Sequence, residues 1–76
     1  MPRFYFDITH DGRSVADDGG IMVNTLEDAE LEALLTVAEL VAEEDTEVNT
    51  RNMQVVIRNA AHTPVARVTL ATERLT

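Results

Sequence analysis

Residues 25–44 constrain the fold most, because they form the one long helical pattern in a chain of 76 residues. Thr25 precedes the first apolar residue and Asp28 follows three positions later, which is an acidic form of the capping box that starts helices. The interior is rich in Ala, Leu and Glu and lacks Gly and Pro, so helix propensity agrees with the pattern. We expect one helix over this stretch, with its acidic carboxyl end fraying from about Asp45.

The helix carries more apolar residues than one contact with a sheet requires. At about 100° per residue, six apolar residues gather on the side opposite the polar stripe, and we expect this side to pack against the sheet. These are Leu31, Leu34, Leu35, Ala38, Val41 and Ala42. On this interpretation Leu34 is a core residue, and Leu34→Ala is expected to destabilise the fold by about 2 to 5 kcal/mol.

A second apolar strip widens the helix surface beyond that side. Ala33, Val37 and Leu40 extend the apolar arc past the roughly 100° that one sheet contact occupies, so we expect them to contact a second subunit. The alternative is that alanine faces solvent, while Val37 and Leu40 tuck under a loop. A chain of this length buries only about 60% of its unfolded surface, which also favours self-association.

Short alternating patterns on both sides of the helix predict four strands. Residues 3–9 and 14–16 surround an Asp-Gly turn, and residues 53–58 and 65–70 surround a polar loop. The order ββαββ predicts a single α+β domain over residues 1–76, with one long helix packed on a mainly antiparallel four-stranded sheet. We expect the spatial strand order 2-1-3-4, which leaves the last strand at an edge.

Charge and composition exclude several classes of function. Fourteen acidic residues against six basic ones give a net charge of -8, which disfavours non-specific binding to nucleic acid or anionic lipid. All six basic residues are Arg, so there is no Schiff-base or phosphate-loop lysine, and without cysteine there is no disulfide or thiolate metal site. No stretch reaches the ~20 apolar residues of a membrane span, and we expect a cytoplasmic protein without membrane contact.

Strand parity gathers Arg side chains on the sheet face that points away from the helix. The candidate interaction residues there are Arg3, Tyr5, Arg58 and Arg67. Three uses stay open: a polar solvated face, contact with an acidic partner such as the helix of another copy, or stacking and charge contacts with a nucleic-acid strand. The net charge opposes the last of these.

Two acidic turns supply weak candidates for a metal site. A divalent ion could be held by one imidazole and three carboxylates, from His10, Asp11, Asp17 and Asp18. Asp and Gly are also ordinary turn residues, because Asp accepts hydrogen bonds from nearby backbone and Gly adopts positive φ. We expect no metal and no other cofactor.

No catalytic pattern stands out elsewhere in the chain. Ser14 lies near His10 without an acid to orient the base or a glycine pattern for an oxyanion hole. His62 has no acidic neighbour in sequence and is expected to be a solvated turn residue. The chain is therefore predicted to have no enzymatic activity.

Several short motifs resemble a family of short bacterial proteins of unknown function, abundant in soil and root-nodule bacteria. They are the opening heptad MPRFYFD, the Asp-Gly turn, DDGG at 17–20 and LEDA at 26–29. Members of that family typically begin Met-Pro-Arg-Tyr-Tyr-Phe-Asp, whereas this chain has Phe4, and it has residues 62–64 where many members have a glycine-containing turn. The resemblance implies no activity, substrate or catalytic residue, and it supports the fold alone.

These patterns favour a small non-catalytic interaction module that forms a homodimer or binds another protein. A dimer could use the helix strip of Ala33, Val37 and Leu40 or the exposed edge of the last strand, and the helix route is favoured because it explains two apolar side chains. Changing Val37 and Leu40 to Glu is then expected to give a folded monomer. The alternatives are a small regulator that binds nucleic acid through the Arg and Tyr face, and a turn-based metal site.

Overall fold

The computed structural model describes residues 1–10, 12–43, 51–72 and 75, with side chains for all of these except 41–43, 51, 52 and 72. Six elements follow one another, namely β1 (Arg3–His10), β2 (Arg13–Val15), β3 (Ile21–Met22), α1 (Leu26–Glu43), β4 (Arg51–Arg58) and β5 (Pro64–Thr72). One helix packs on an open antiparallel sheet, which confirms the α+β fold. The expected fraying from Asp45 falls outside the described residues.

The sheet has the strand order β2-β1-β4-β5, and every pair is antiparallel. This confirms the order expected for four strands. The difference is β3, a two-residue strand that pairs with the start of β1, so that β2 and β3 follow one another along the edge of β1 opposite β4. His10 pairs with Arg13, and Gly12, which precedes Arg13, has a φ of 78°, as expected for the glycine of an Asp-Gly turn.

The helix begins at its predicted cap and packs on one half of the sheet. The Thr25 Oγ1 atom accepts a hydrogen bond of 3.0 Å from the backbone N–H of Asp28, and this satisfies one of the free donors of the first turn. From this start α1 packs on β4 and β5. The buried core comprises Phe4, Phe6, Met53, Val55 and Ile57 from the sheet with Ala29, Ala33 and Val37 from the helix.

The side of the helix that faces the sheet differs from the predicted one. Leu31, Leu34 and Leu35 were expected in the core, but their exposed fractions are 58%, 53% and 56%. Ala38 is also exposed, and the side chains of Val41 and Ala42 fall outside the described part of the chain. The prediction that Leu31, Leu34, Leu35 and Ala38 belong to the core is therefore wrong.

Steric volume explains why the small residues face the sheet. The phenylalanines, Met53 and Ile57 fill most of the space between the two layers, so the helix can approach only with small side chains such as Ala29 and Ala33. Val37 is buried beside them, and Leu40 packs against the same core while remaining half-buried. Ala33, Val37 and Leu40 therefore contact the sheet of their own chain, which corrects the expectation that they meet a second subunit.

No helix among the described residues combines the length and the apolar character that crossing a bilayer would require.

Candidate functional site

Arg58 lies at the centre of a polar cluster on the sheet face away from the helix. Its Nε and Nη2 atoms donate to Oδ2 and Oδ1 of Asp7 at 2.7 and 2.9 Å, and Nη2 also donates to the backbone carbonyl of Asp17 at 3.2 Å. The guanidinium carbon lies 5.0 Å from the ring centroid of Tyr5, within cation-π range. The exposed fractions of the Arg58 and Asp7 side chains are 18% and 28%, so this fork-shaped ion pair is largely shielded from solvent.

The Asp17 side chain replaces a missing strand partner of β1. Between β2 and β3 the chain leaves the edge of β1, and there the backbone N–H of Phe6 donates to Asp17 Oδ2 at 3.1 Å. The other oxygen, Oδ1, accepts from Gly19 and Gly20 at 3.1 Å each. The backbone N–H of Asp17 donates to Asp7 Oδ1 at 3.0 Å, so the two carboxylates and the turn hold one another in place.

Gly20 is required where this turn returns to β1. Its φ is 71°, a conformation that residues with a Cβ rarely adopt. A Cβ at this position would lie 2.7 Å from the Phe4 carbonyl oxygen and 2.9 Å from Arg3 Cγ. This close approach gives a physical reason for the glycine that ends the DDGG motif.

The charges of the cluster stabilise one another. The hydrogen bond from Arg58 lowers the pKa of Asp7 below its ordinary value of 3.8, helped by the backbone N–H of Asp17 and opposed by burial. Burial raises the pKa of Asp17, but the N–H groups of Gly20, Phe6 and Gly19 outweigh it, and the net pKa is lowered. The same hydrogen bond with Asp7 raises the pKa of Arg58. All three groups are therefore ionised at neutral pH.

The loop between β4 and β5 places His62 against this cluster. Asn59 Oδ1 accepts from the N–H groups of Ala61 and Thr63 at 2.9 and 3.0 Å, which winds the loop around the Asn side chain. His62 has a φ of 65°, and its ring lies 4.9 Å from that of Tyr5 between centroids. Its Nδ1 atom is 2.7 Å from Arg58 Nη1, and because arginine can only donate, Nδ1 is the acceptor. His62 is an exposed loop residue, as expected from the sequence, but it also contacts Arg58 and Tyr5.

The cluster has a structural role, and we call Arg58 with its partners Asp7, Asp17 and His62 the clamp. Arg58 makes four hydrogen bonds that join two strands, the turn after β2 and the loop before β5. Arginine stands between Asp7 and His62, so the carboxylate does not orient the imidazole as it would in a catalytic triad. The Ser14 hydroxyl has a different partner, the Thr9 hydroxyl at 3.0 Å.

The predicted interaction residues of this sheet face have two different environments. Arg3 and Arg67 are exposed, and the Arg3 guanidinium donates to the Gly19 carbonyl oxygen. Tyr5 and Arg58 are half-buried and contact one another, so their ring and charge already have partners within the chain. This arrangement gives no support to base stacking on Tyr5, while protein contact through this face stays a prediction.

The structure forms no common site from His10, Asp17 and Asp18, the weak candidate metal ligands that it describes. The Asp17 carboxylate accepts hydrogen bonds from backbone N–H groups, Asp18 is exposed, and His10 lies in a recess on the helix side beside Leu40 and Met53. Asp11 falls outside the described residues. Within the described chain, no group of three or more His, Cys, Asp or Glu side chains could hold a metal ion.

Two surfaces of the helix layer have apolar side chains in contact with solvent. The first is the trough, which lies between α1 and the strands on the β1 side of the sheet. Its floor is formed by Ile8, Val15 and Ile21, and its wall by Leu35, Thr36 and Leu40 of the helix. It continues towards the start of the helix, where Met1, Met22 and Leu31 meet.

The second surface is the opposite flank of α1, above the edge strand β5. Leu34 lies about 200° around the helix from Glu32, which lines the trough, so Leu34 projects on the side towards β5. In the part of the chain that the structure describes, β5 pairs with β4 alone. An exposed leucine and an unpaired strand edge therefore adjoin.

The pairing of Asp7 with Arg58 was not predicted from the sequence. Both side chains belong to the outer face by strand parity, and the expected antiparallel pairing of the first and third strands brings them near one another. The register Tyr5 to Arg58 and Asp7 to Val56 places Asp7 diagonally from Arg58. An acidic residue within an aromatic strand was the signal, since a charge there needs a partner.

No curated protein and no solved structure matches the chain. The family model described as a domain of unknown function, DUF6894, matches residues 3–71, which contain all of β1 to β4 and most of β5. The chain therefore belongs to this family of unknown function.

Proposed function

We propose that this chain is a non-catalytic protein-interaction module that pairs with a second copy of itself through the edge of β5 and the adjoining flank of α1. The observation that carries the proposal is the position of Leu34, which is 53% exposed on the helix flank above an unpaired edge strand. The clamp around Arg58 supports a role without catalysis, because its groups bind one another. We also propose that the protein is cytoplasmic, and that its relatives are short bacterial proteins with a similar opening heptad.

The β5 strand has few of the features that prevent an exposed strand edge from pairing with another chain. It is nine residues long, and its single charged residue is Arg67. Edge strands that are protected from pairing are usually short, charged or interrupted by proline. In β5 the proline is the first residue, Pro64, and the register shift between Ile57 and Arg58 lies at the same end of the strand. From Ala66 onwards β5 pairs with β4 without a register shift, which leaves a regularly paired strand at the edge for a second copy.

The spacing of the layers fits such a pair. Because α1 packs on β4 and β5, and strands lie about 4.8 Å apart, two sheets joined at β5 would place their helix axes roughly 10 Å from one another. Helices in contact lie about 8 to 10 Å apart. One symmetric contact would therefore join the two sheets at β5 and also cover Leu34 of both copies.

The charges of the two copies also allow this contact. Leu34 lies at the middle of α1, so an antiparallel helix pair would bring Leu34 against its own copy and Glu30 against Ala38. In β5, pairing centred on Val68 would place Arg67 opposite Thr69 and keep the apolar residues of both strands on the helix side. No like charges meet at the centre, although the net charge of -8 on each copy opposes association at long range.

Sedimentation equilibrium with two matched variants tests the proposal. Leu34→Glu and Leu35→Glu add the same charge at leucines of similar exposure, 53% and 56%, and Leu35 is turned by about 100° towards the trough. We expect wild type and Leu35→Glu to be dimeric at about 100 μM and Leu34→Glu to be a folded monomer with an unchanged circular dichroism spectrum. The proposed contact would be contradicted by a monomeric wild type at that concentration. It would also be contradicted by an equal decrease in average molecular mass in both variants.

A further inference from the structure

The helix layer covers only part of the sheet. The sheet has four strand positions across its width, which places its outer strand axes roughly 15 Å apart. An α-helix with its side chains is about 10 Å wide. Since α1 packs on β4 and β5, no second helix among the described residues lies above the helix side of β2, β3 and part of β1.

The surface left uncovered is the trough, and its floor is apolar. Val15 pairs with Ile8 and Ile21 pairs with Phe4, so both project to the same side of the sheet as the core. Val15 is 66% exposed and Ile21 is 41% exposed. Branched apolar side chains at these exposures, on the core side of a sheet, are typical of a surface that another element covers.

The helix wall of the trough is acidic towards the start of α1, whereas the basic side chain of Arg13 lines the other end of the trough, beside Leu40. Asp28 and Glu32 line it at one end, and Glu39 continues the same line seven residues after Glu32. The helix has no basic residue between Leu26 and Glu43 that could neutralise them. A partner in the trough would therefore gain from positive charge on the side that faces α1.

We infer that the trough is a docking site for a cationic amphipathic helix of another protein. Its apolar face would cover Val15, Ile21 and Leu35, and its Lys or Arg side chains would lie along Asp28 and Glu32. The width that α1 leaves free matches one helix, and the wall from Asp28 to Leu40 is about 18 Å long, or three to four helical turns. This site lies on the opposite flank of α1 from the surface proposed for self-association.

Synthetic helices of opposite charge provide the probe. A Leu/Lys amphipathic peptide of about 14 residues, matched to the trough length, and a Leu/Glu peptide with the same leucine positions are titrated into the full chain by fluorescence anisotropy. We expect the Leu/Lys peptide to bind with a Kd of tens of micromolar and the Leu/Glu peptide at least tenfold more weakly. Equal binding of the two peptides, or no binding of the Leu/Lys peptide at about 500 μM, would overturn the inference.

Matched variants separate docking in the trough from unspecific attraction to an acidic protein. Val15→Lys and Val65→Lys change the net charge equally, but Val15 lies in the trough and Val65 lies at the far edge of the sheet. Glu32→Gln and Glu30→Gln form a second pair on opposite flanks of α1. We expect the trough variant of each pair to weaken peptide binding at least fivefold and its control less than twofold, with amide shift changes at Ile21 and Thr36.

Two outcomes would contradict the site itself. Equal effects within each pair of variants would show that the peptide binds the overall charge of the protein. Binding of the chain to phosphatidylcholine vesicles, without binding of the Leu/Lys peptide, would assign the apolar floor to a lipid surface instead of a helix. A monomeric wild type leaves this inference intact, because the trough belongs to a single copy.

Discussion

Asp7 and Arg58, which are 51 residues apart in the chain, are joined by two parallel hydrogen bonds of 2.7 and 2.9 Å. The pair links the first strand to the strand that follows the helix, and through Asp17 it also fixes the turn before β3. Most of its contacts are between distant parts of the chain. The outer face of the sheet is thereby held by one polar network, while the apolar core lies on the other face.

Asp7→Asn should weaken the fold at neutral pH. The asparagine keeps the size of the side chain but loses the charge that Arg58 binds, and we expect a loss on the order of 1 kcal/mol. The pKa of Asp7 is lower in the folded chain than its ordinary value of 3.8, so its stabilising effect is present above about pH 4 and is lost as the pH falls through the folded pKa. Urea unfolding at pH 7 and at pH 2 measures the difference in free energy of unfolding between wild type and Asp7→Asn. We expect this difference to be smaller at pH 2. A difference that is the same at both pH values would show that the charge of Asp7 contributes nothing.

Gly20→Ala should be far more costly than Gly19→Ala. A Cβ at Gly20 would lie 2.7 Å from a backbone oxygen at a φ of 71°, whereas a Cβ at Gly19 meets no atom within 4 Å. The left-handed conformation and the overlap together should cost about 2 to 4 kcal/mol. Thermal unfolding of the two variants tests this, and equal melting temperatures would contradict the close approach of the turn to β1.

The two sides of the helix should respond in opposite ways to a change of volume. Ala33 is fully buried, so Ala33→Leu should overpack the core and cost about 1 to 3 kcal/mol. Leu34 is more than half exposed, so Leu34→Ala should cost below about 1 kcal/mol when measured in dilute monomer. Chemical unfolding of both variants shows which side of α1 contacts the sheet. A larger loss of unfolding free energy for Leu34→Ala than for Ala33→Leu would show that Leu34 faces the sheet, as expected from the sequence.

The sequence predicted the fold well because its local signals agree. Thr25 caps the helix, the Asp-Gly turn sets the first hairpin, and alternation in the strands assigns their two faces. Strand order followed from the antiparallel directions that the order ββαββ imposes. The cap, the turn and the alternation each depend on neighbouring residues, which is why turn chemistry and periodicity were sufficient to predict them.

The helix face and the polar cluster could not be predicted in the same way. Hydrophobicity favoured Leu31, Leu34 and Leu35 over alanines, but the choice depends on the space that Phe4 and Phe6 leave above the sheet. The contacts of His62 arise because its loop folds back over β1, a relationship that local sequence does not contain. Volumes across two layers and contacts between distant loops are properties of the assembled fold.

Charge changes at Thr69 should tune self-association in opposite directions. In β5 edges paired about Val68, Thr69 lies opposite Arg67 of the second copy, so Thr69→Arg creates two repulsive pairs and Thr69→Glu creates two attractive ones. We expect Thr69→Arg to raise the dimer Kd several-fold and Thr69→Glu to lower it. Added salt should strengthen the wild-type dimer, because it screens the net charge of -8 on each copy. If both variants shift the Kd in the same direction, the strands are not paired in this register.

Amide hydrogen exchange along β5 tests self-association through this edge most directly. In an antiparallel edge strand, alternate backbone N–H groups point to the neighbouring strand, and the others point outwards to solvent. We predict that the outward N–H groups between Val65 and Ala71 exchange rapidly in dilute protein and become protected at about 100 μM or above, while those bonded to β4 stay protected at both concentrations. Outward N–H groups that exchange rapidly at every concentration would contradict pairing through β5.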